Sequence, residues 1–149
     1  MTLPMRATVP PRKLEYFEQE LSASPTGREI LAVVRSHMDE VNELVNRNRT
    51  VMVAWQRNKG PRFLMSVMDS GFNENSPVQK EIDGVTLPRL VLRMADALQQ
   101  TGSRPLATVV AQYTSLVLKV ATDCVSLAEL FGRIRRGDVQ LSAPSGGTA

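Results

Sequence analysis

A single cysteine, Cys124, and a single histidine, His37, exclude an intrachain disulfide and a Cys/His zinc site of the usual four ligands. With one thiol and no disulfide framework, a reducing compartment is the plain inference, and the cytoplasm is the expected location. Aromatic residues are scarce as well, at 5% of the chain. The core must therefore be aliphatic, with seven methionines as filler, which suits packed helices better than a sheet. Long apolar runs are missing. The most apolar window, 106–125, contains Gln112, Lys119 and Asp123, which a lipid-facing helix does not tolerate cheaply, so no membrane span is expected. No signal peptide is expected either, because Pro4, Pro10 and Pro11 interrupt the N-terminal segment where an apolar core is needed.

Catalytic signatures are equally sparse. There is no Gly-rich phosphate loop and no strand-to-helix P-loop. The only histidine lies in a long helical pattern without a nucleophile motif nearby, so no Ser/His/Asp order is defensible. Cys124 has no second cysteine to resolve it and reads as a small buried residue. The expectation is a protein that is not an enzyme and uses no cofactor or metal.

What the chain does contain is one wide apolar stripe over residues 24–59. At 100° per residue with Trp55 at zero, Ile30, Val34, Val41, Val45 and Met52 fall between about 20° and 80°. Met38 lies near 100°, and Val33, Leu44 and Val51 lie at about −20° to −40°. Ser24 as N-cap with Pro25 at the first helical position marks the start, and Gly60-Pro61 marks the end. One continuous helix over this span would be about 54 Å long. Against it, Asn46, Arg47, Asn48, Arg49 and Thr50 have mediocre helix propensity, and Val51-Met52-Val53 favours a strand. A hairpin of 50–56 with 62–68, turning at Asn58-Lys59-Gly60, is the alternative. A bend at 46–50 is compatible with either.

The remaining chain reads as short, punctuated helices. Leu14, Phe17 and Leu21 make the apolar edge of two turns. Residues 61–70 form a buried helix closed by Gly71, and Ser76-Pro77-Val78-Gln79 reads as a capping box whose turn ends at Gly84. Thr86 with Pro88 opens a helix stopped by Gly102, Ser103 with Pro105 opens the next, and Ser126 with Glu129 is a second capping box for a helix ending at Gly137. The predicted fold is all-α, a bundle of five or six helices around the long one, with α+β carrying a small hairpin at 50–68 as the alternative. A flexible basic Pro-rich arm (1–13) and a flexible tail (142–149) flank a single helical domain (14–141).

Two polar residues interrupt the stripe. His37, with Glu40 three residues on, could share a helix edge as metal ligands or an acid/base pair, but no matching carboxylate and histidine set exists on other helices. His37 is therefore read as a packing residue. Asn48 is read as a locally satisfied kink, with a register-setting role between helices as the minority reading. The charges are polarised: residues 44–62 hold Arg47, Arg49, Arg57, Lys59 and Arg62 with no acid, a net +5, whereas 63–85 is −3. A solvated face accounts for the cations about as well as a nucleic-acid track, and the pair 86–100 and 104–122 offers only Thr108, Gln112, Ser115 and Lys119 as base-reaching groups.

A helical protein–protein interaction or assembly module, an adaptor or scaffold subunit, follows as the expected function. Its partner is a second copy or the other chains of a hetero-complex, sought first at Arg47, Asn48, Arg49, Trp55, Arg57, Lys59 and Arg62. Nucleic-acid binding through 44–62 is the alternative.

Overall fold

The computed structural model describes residues 11–72 and 76–139. The described residues form the expected all-α bundle, with seven helices and one very small hairpin. They run α1 (Pro11–Ser22), α2 (Pro25–Arg47), α3 (Arg49–Arg57), α4 (Gly60–Phe72), β1 (Glu81–Ile82), β2 (Val85–Thr86), α5 (Leu87–Thr101), α6 (Arg104–Asp123) and α7 (Leu127–Arg135). Helix α1 starts at Pro11 and so includes residues expected in the arm. The rest of that arm and the tail lie outside the described residues.

The long stripe is not one rod. Asn48 adopts an extended backbone, φ −92° and ψ 120°, and ends α2 while starting α3. Its N–H donates to the Leu44 carbonyl at 2.9 Å, its own carbonyl accepts from Met52 N at 2.8 Å, and its side-chain Oδ1 accepts from Val51 N at 3.2 Å. The chain turns without leaving these groups unsatisfied, which is what an Asn cap supplies and an aliphatic residue does not. The hairpin alternative at 50–68 is overturned. Both of its arms are helical, because Met52, Trp55 and the apolar residues after Pro61 follow a helical period once the cap is in place.

The hairpin that does form lies elsewhere, and it replaces the capping-box turn expected at 76–84. Glu81 pairs with Thr86 and Ile82 with Val85, around Asp83 and Gly84 at φ +51° and +84°. Two successive positive φ values are the requirement of a type I′ turn, and Asp-Gly is among its preferred sequences. The same unit is pinned to the end of α6. Val78 N donates to Val125 O at 2.8 Å, and the Lys80 ammonium donates to the carbonyls of Ala121 and of Cys124, the latter at 2.6 Å. A cation there satisfies terminal carbonyls and complements the helix dipole.

The other helix ends are capped as the sequence implies. Ser24, Thr86, Ser103 and Ser126 each accept a backbone N–H from three residues on, and Gly137, at φ +79°, closes α7. Gly71 is an exception, because it continues α4 instead of closing it. An added Cβ there would lie 2.3 Å from the Phe17 ring, so its smallness serves the approach of α1. Gly27 is tighter still, with the Leu21 carbonyl oxygen 1.8 Å from an added Cβ where α1 turns into α2.

The principal core joins Val45, Val51, Trp55, Phe63, Ile82, Leu87, Leu90, Ala97, Leu98 and Leu106. A smaller cluster brings Phe17 of α1 against Phe131 of α7, ring centroids 5.7 Å apart. Buried Ser70 ties α4 to α7 by donating to Val67 O and accepting from Leu127 N at 2.8 Å. Asn48→Ala is expected to lower the unfolding free energy by about 1 kcal/mol, whereas Asn48→Ser stays within a few tenths. Urea denaturation checks this, and equal midpoints for both variants would remove the capping role.

Candidate functional site: an apolar groove and a polar pocket

Helix α2 uses its stripe in two ways. The residues it buries, Gly27, Leu31, Asn42 and Val45, are turned about 70° from the centre of the predicted face. Leu31 and Asn42 were not expected in the core, whereas Val34 and Met52, both expected there, are each 39% exposed. The displaced part of the stripe, Ile30, Val33, Val34 and Val41, lines an open groove instead.

Contacts between helices explain the groove. α5 packs against α6, the most extensive pairing in the fold, and also touches α2, whereas α6 has no other substantial helix neighbour. α5 is therefore the floor, with Val91, Met94 and Leu98, and the far wall is α6, with Val109, Tyr113, Leu116 and Val117. Leu130 and Ile134 of α7, with Val139, line it as well. Twenty residues enclose a volume of about 560 Å³. Only Leu106 is buried in the whole of α6, and Val117 is 45% exposed. An amphipathic helix of twenty residues normally buries its apolar face, so this one is under-covered.

Polar groups in the groove are few. Thr114 Oγ1 is engaged by the Val110 carbonyl on its own helix, leaving Tyr113 and the Trp55 indole. Trp55 Nε1 is buried and finds no acceptor among the described residues, and the same holds for both side-chain polar atoms of Asn42.

The seven residues expected at a partner surface are divided among several settings. Arg47 lies 3.9 Å from Glu43, and Arg62 and Lys59 both face Asp83, at 2.5 and 3.9 Å. Three of the five cations in 44–62 are thereby compensated. Asn48 serves as a cap, Trp55 is core and groove lining, and Arg49 lies exposed at the start of α3. Arg57 lines a second concavity of about 590 Å³ between α3 and α5, beside Arg89 and Arg93 of α5. Those two arginines are spaced i,i+4 on the polar face of α5, and their companion Arg57 is distant in sequence, so no local pattern joins the three.

His37 and Glu40 do not pair. Both Glu40 carboxylate oxygens go to Ser103, one accepting from its N–H at 2.6 Å and the other from its hydroxyl at 2.8 Å. The bond from the Ser103 N–H, then that from its hydroxyl, holds the Glu40 carboxyl below its ordinary value. Glu129 is lowered in the same way, first by the Val125 N–H it accepts at 2.8 Å. This is the reciprocal half of the predicted capping box, displaced by one residue. Burial pushes the Cys124 thiol up, which keeps it protonated. Among the described residues, no three His, Cys, Asp or Glu side chains gather as a metal site, and no helix is long and apolar enough to cross a membrane.

The chain matches no protein-family model, no curated protein and no solved structure.

Carboxyls whose folded pKa is depressed stabilise the fold above the unfolded value of about 4.3, and that contribution is lost as pH falls through the folded value. Melting temperature is thus expected to drop between about pH 5 and 3, less steeply in Glu40→Gln/Glu129→Gln. Thermal melts followed by circular dichroism read this, and parallel acid limbs for the two proteins would contradict it.

Proposed function

We propose that the protein is a non-enzymatic helical interaction or assembly module whose groove between α2 and α6 receives the apolar face of a helix from a partner chain. The observation that carries this reading is the wall of α6, a long amphipathic helix with a single buried residue. Contiguous apolar surface rimmed by polar residues marks a partner site more often than a solvent face, and helix-in-groove docking needs this shape. The lining itself argues against a small polar ligand. Sites for such ligands place several polar groups to fix orientation, whereas nearly every side chain here is aliphatic.

A second copy of the chain is the simplest partner. Each molecule carries both the groove and the uncovered α6, so a two-fold arrangement buries both at once. The alternative use of 44–62 as a nucleic-acid track loses support because three of its cations are held by Glu43 and Asp83.

The sole tryptophan lines the groove and provides the readout. Sedimentation equilibrium across roughly 1–100 μM is expected to show self-association, accompanied by a concentration-dependent change in Trp55 emission. Val34→Glu/Val117→Glu, at two exposed lining positions, is expected to be a folded monomer with constant emission. A monomeric parent protein over that range would remove the second copy as partner.

A further inference from the structure

The second concavity, between α3 and α5, differs in kind from the groove. Its apolar lining is small, with Val53, Ala54, Val85 and Ala97, and its polar lining is Arg57, Arg89 and Arg93 together with Thr50, Asn58, Asp96 and Gln100. Among the described residues, these three arginines share with Arg28, Arg49, Lys80, Arg104 and Lys119 the lack of a carboxylate partner, and they differ from those in lining one concavity together. Arg35, Arg47, Lys59, Arg62, Arg133, Arg135 and Arg136 all meet a carboxylate of this chain. Among the described residues, Arg57, Arg89 and Arg93 meet none, although Asp96 lines the same concavity. Arg89 and Arg93 are moreover one turn apart on α5, where like charges repel and destabilise a helix.

Three guanidinium groups without a carboxylate partner, lining one concavity from two helices beside small apolar side chains, make a receptor for negative charge on a chain that also carries apolar side chains. We infer that this pocket binds an acidic peptide segment of a protein partner, its carboxylates meeting Arg57, Arg89 and Arg93 and an apolar side chain seated on Val53 and Ala97. A nucleic-acid backbone fits less well. The lining has no aromatic ring on which a base would stack, Asp96 interrupts the positive potential, and the neighbouring Lys59 and Arg62 are engaged by Asp83. The pocket is separate from the α2–α6 groove, so it stands or falls independently of self-association.

Fluorescence anisotropy with a short dye-labelled Glu-Leu-Glu-Glu-Leu repeat peptide tests the site, beside the same peptide with Gln for Glu and a single-stranded oligonucleotide. The acidic peptide is expected to bind the full-length protein at least about tenfold more tightly than its Gln counterpart. Arg89→Gln/Arg93→Gln is expected to weaken it by a similar factor while the melting temperature holds or rises, since a like-charge pair is relieved. Asp96→Asn is expected to tighten it and keeps the question answerable if the double variant folds poorly. Equal affinity for the acidic and Gln peptides, affinity unmoved by all of these substitutions, or tighter binding of the oligonucleotide with a steep salt dependence would each overturn the assignment.

Discussion

Asn48 is the residue on which the arrangement of the helices depends. An apolar stripe continued as one rod would present one face to one set of neighbours. By capping α2 with its N–H and α3 with its side chain, Asn48 breaks the rod at no cost in unsatisfied backbone. The break lets Val45 and Val51 enter the same core from two helices. It also frees α2 to rotate its stripe away from that core, so that Ile30, Val33 and Val34 face outwards. The apolar groove draws on both sides of this break, with Ile30, Val33, Val34 and Val41 from α2 and Trp55 from α3.

Polar clamps then hold the walls in place. Glu40 reaches from α2 to the cap of α6 at Ser103, and Lys80 grips the other end of α6 at Ala121 and Cys124. Helix α6 is thus anchored at both ends and by its packing on α5, while its apolar face stays uncovered. A helix loosely held would collapse onto α2 and close the groove. The double anchorage provides a reason why it does not.

Helix boundaries set by local chemistry were legible in the sequence. Ser24-Pro25, Thr86 with Pro88, Ser103 with Pro105 and Ser126 with Glu129 announce themselves because a cap is a bond between residues three apart. Asn48 was legible as a kink in the long stripe, but not as the cap that divides it into two helices. The hairpin at 81–86 was hidden because two-residue strands have no periodicity and Ser76 to Gln79 imitates a capping box, though Asp83-Gly84 between Ile82 and Val85 was the available signal. Which part of the α2 stripe faces the core depends on where α5 and α6 lie, which no local pattern records. The same holds for the arginines. The run from Arg47 to Arg62 looked like one surface, yet Asp83 neutralises its end, and Arg57 finds its companions thirty-odd residues away on α5.

The central claim is that the uncovered faces of α2 and α6 are occupied by a second copy. Hydrogen–deuterium exchange measured on the unmodified protein at low and high concentration tests it most directly. Amide protection that rises with concentration over 30–41 and 109–120, and not over α1 or the 81–86 hairpin, is the predicted result. Exchange that is independent of concentration in those two segments, or protection that rises elsewhere instead, would contradict it.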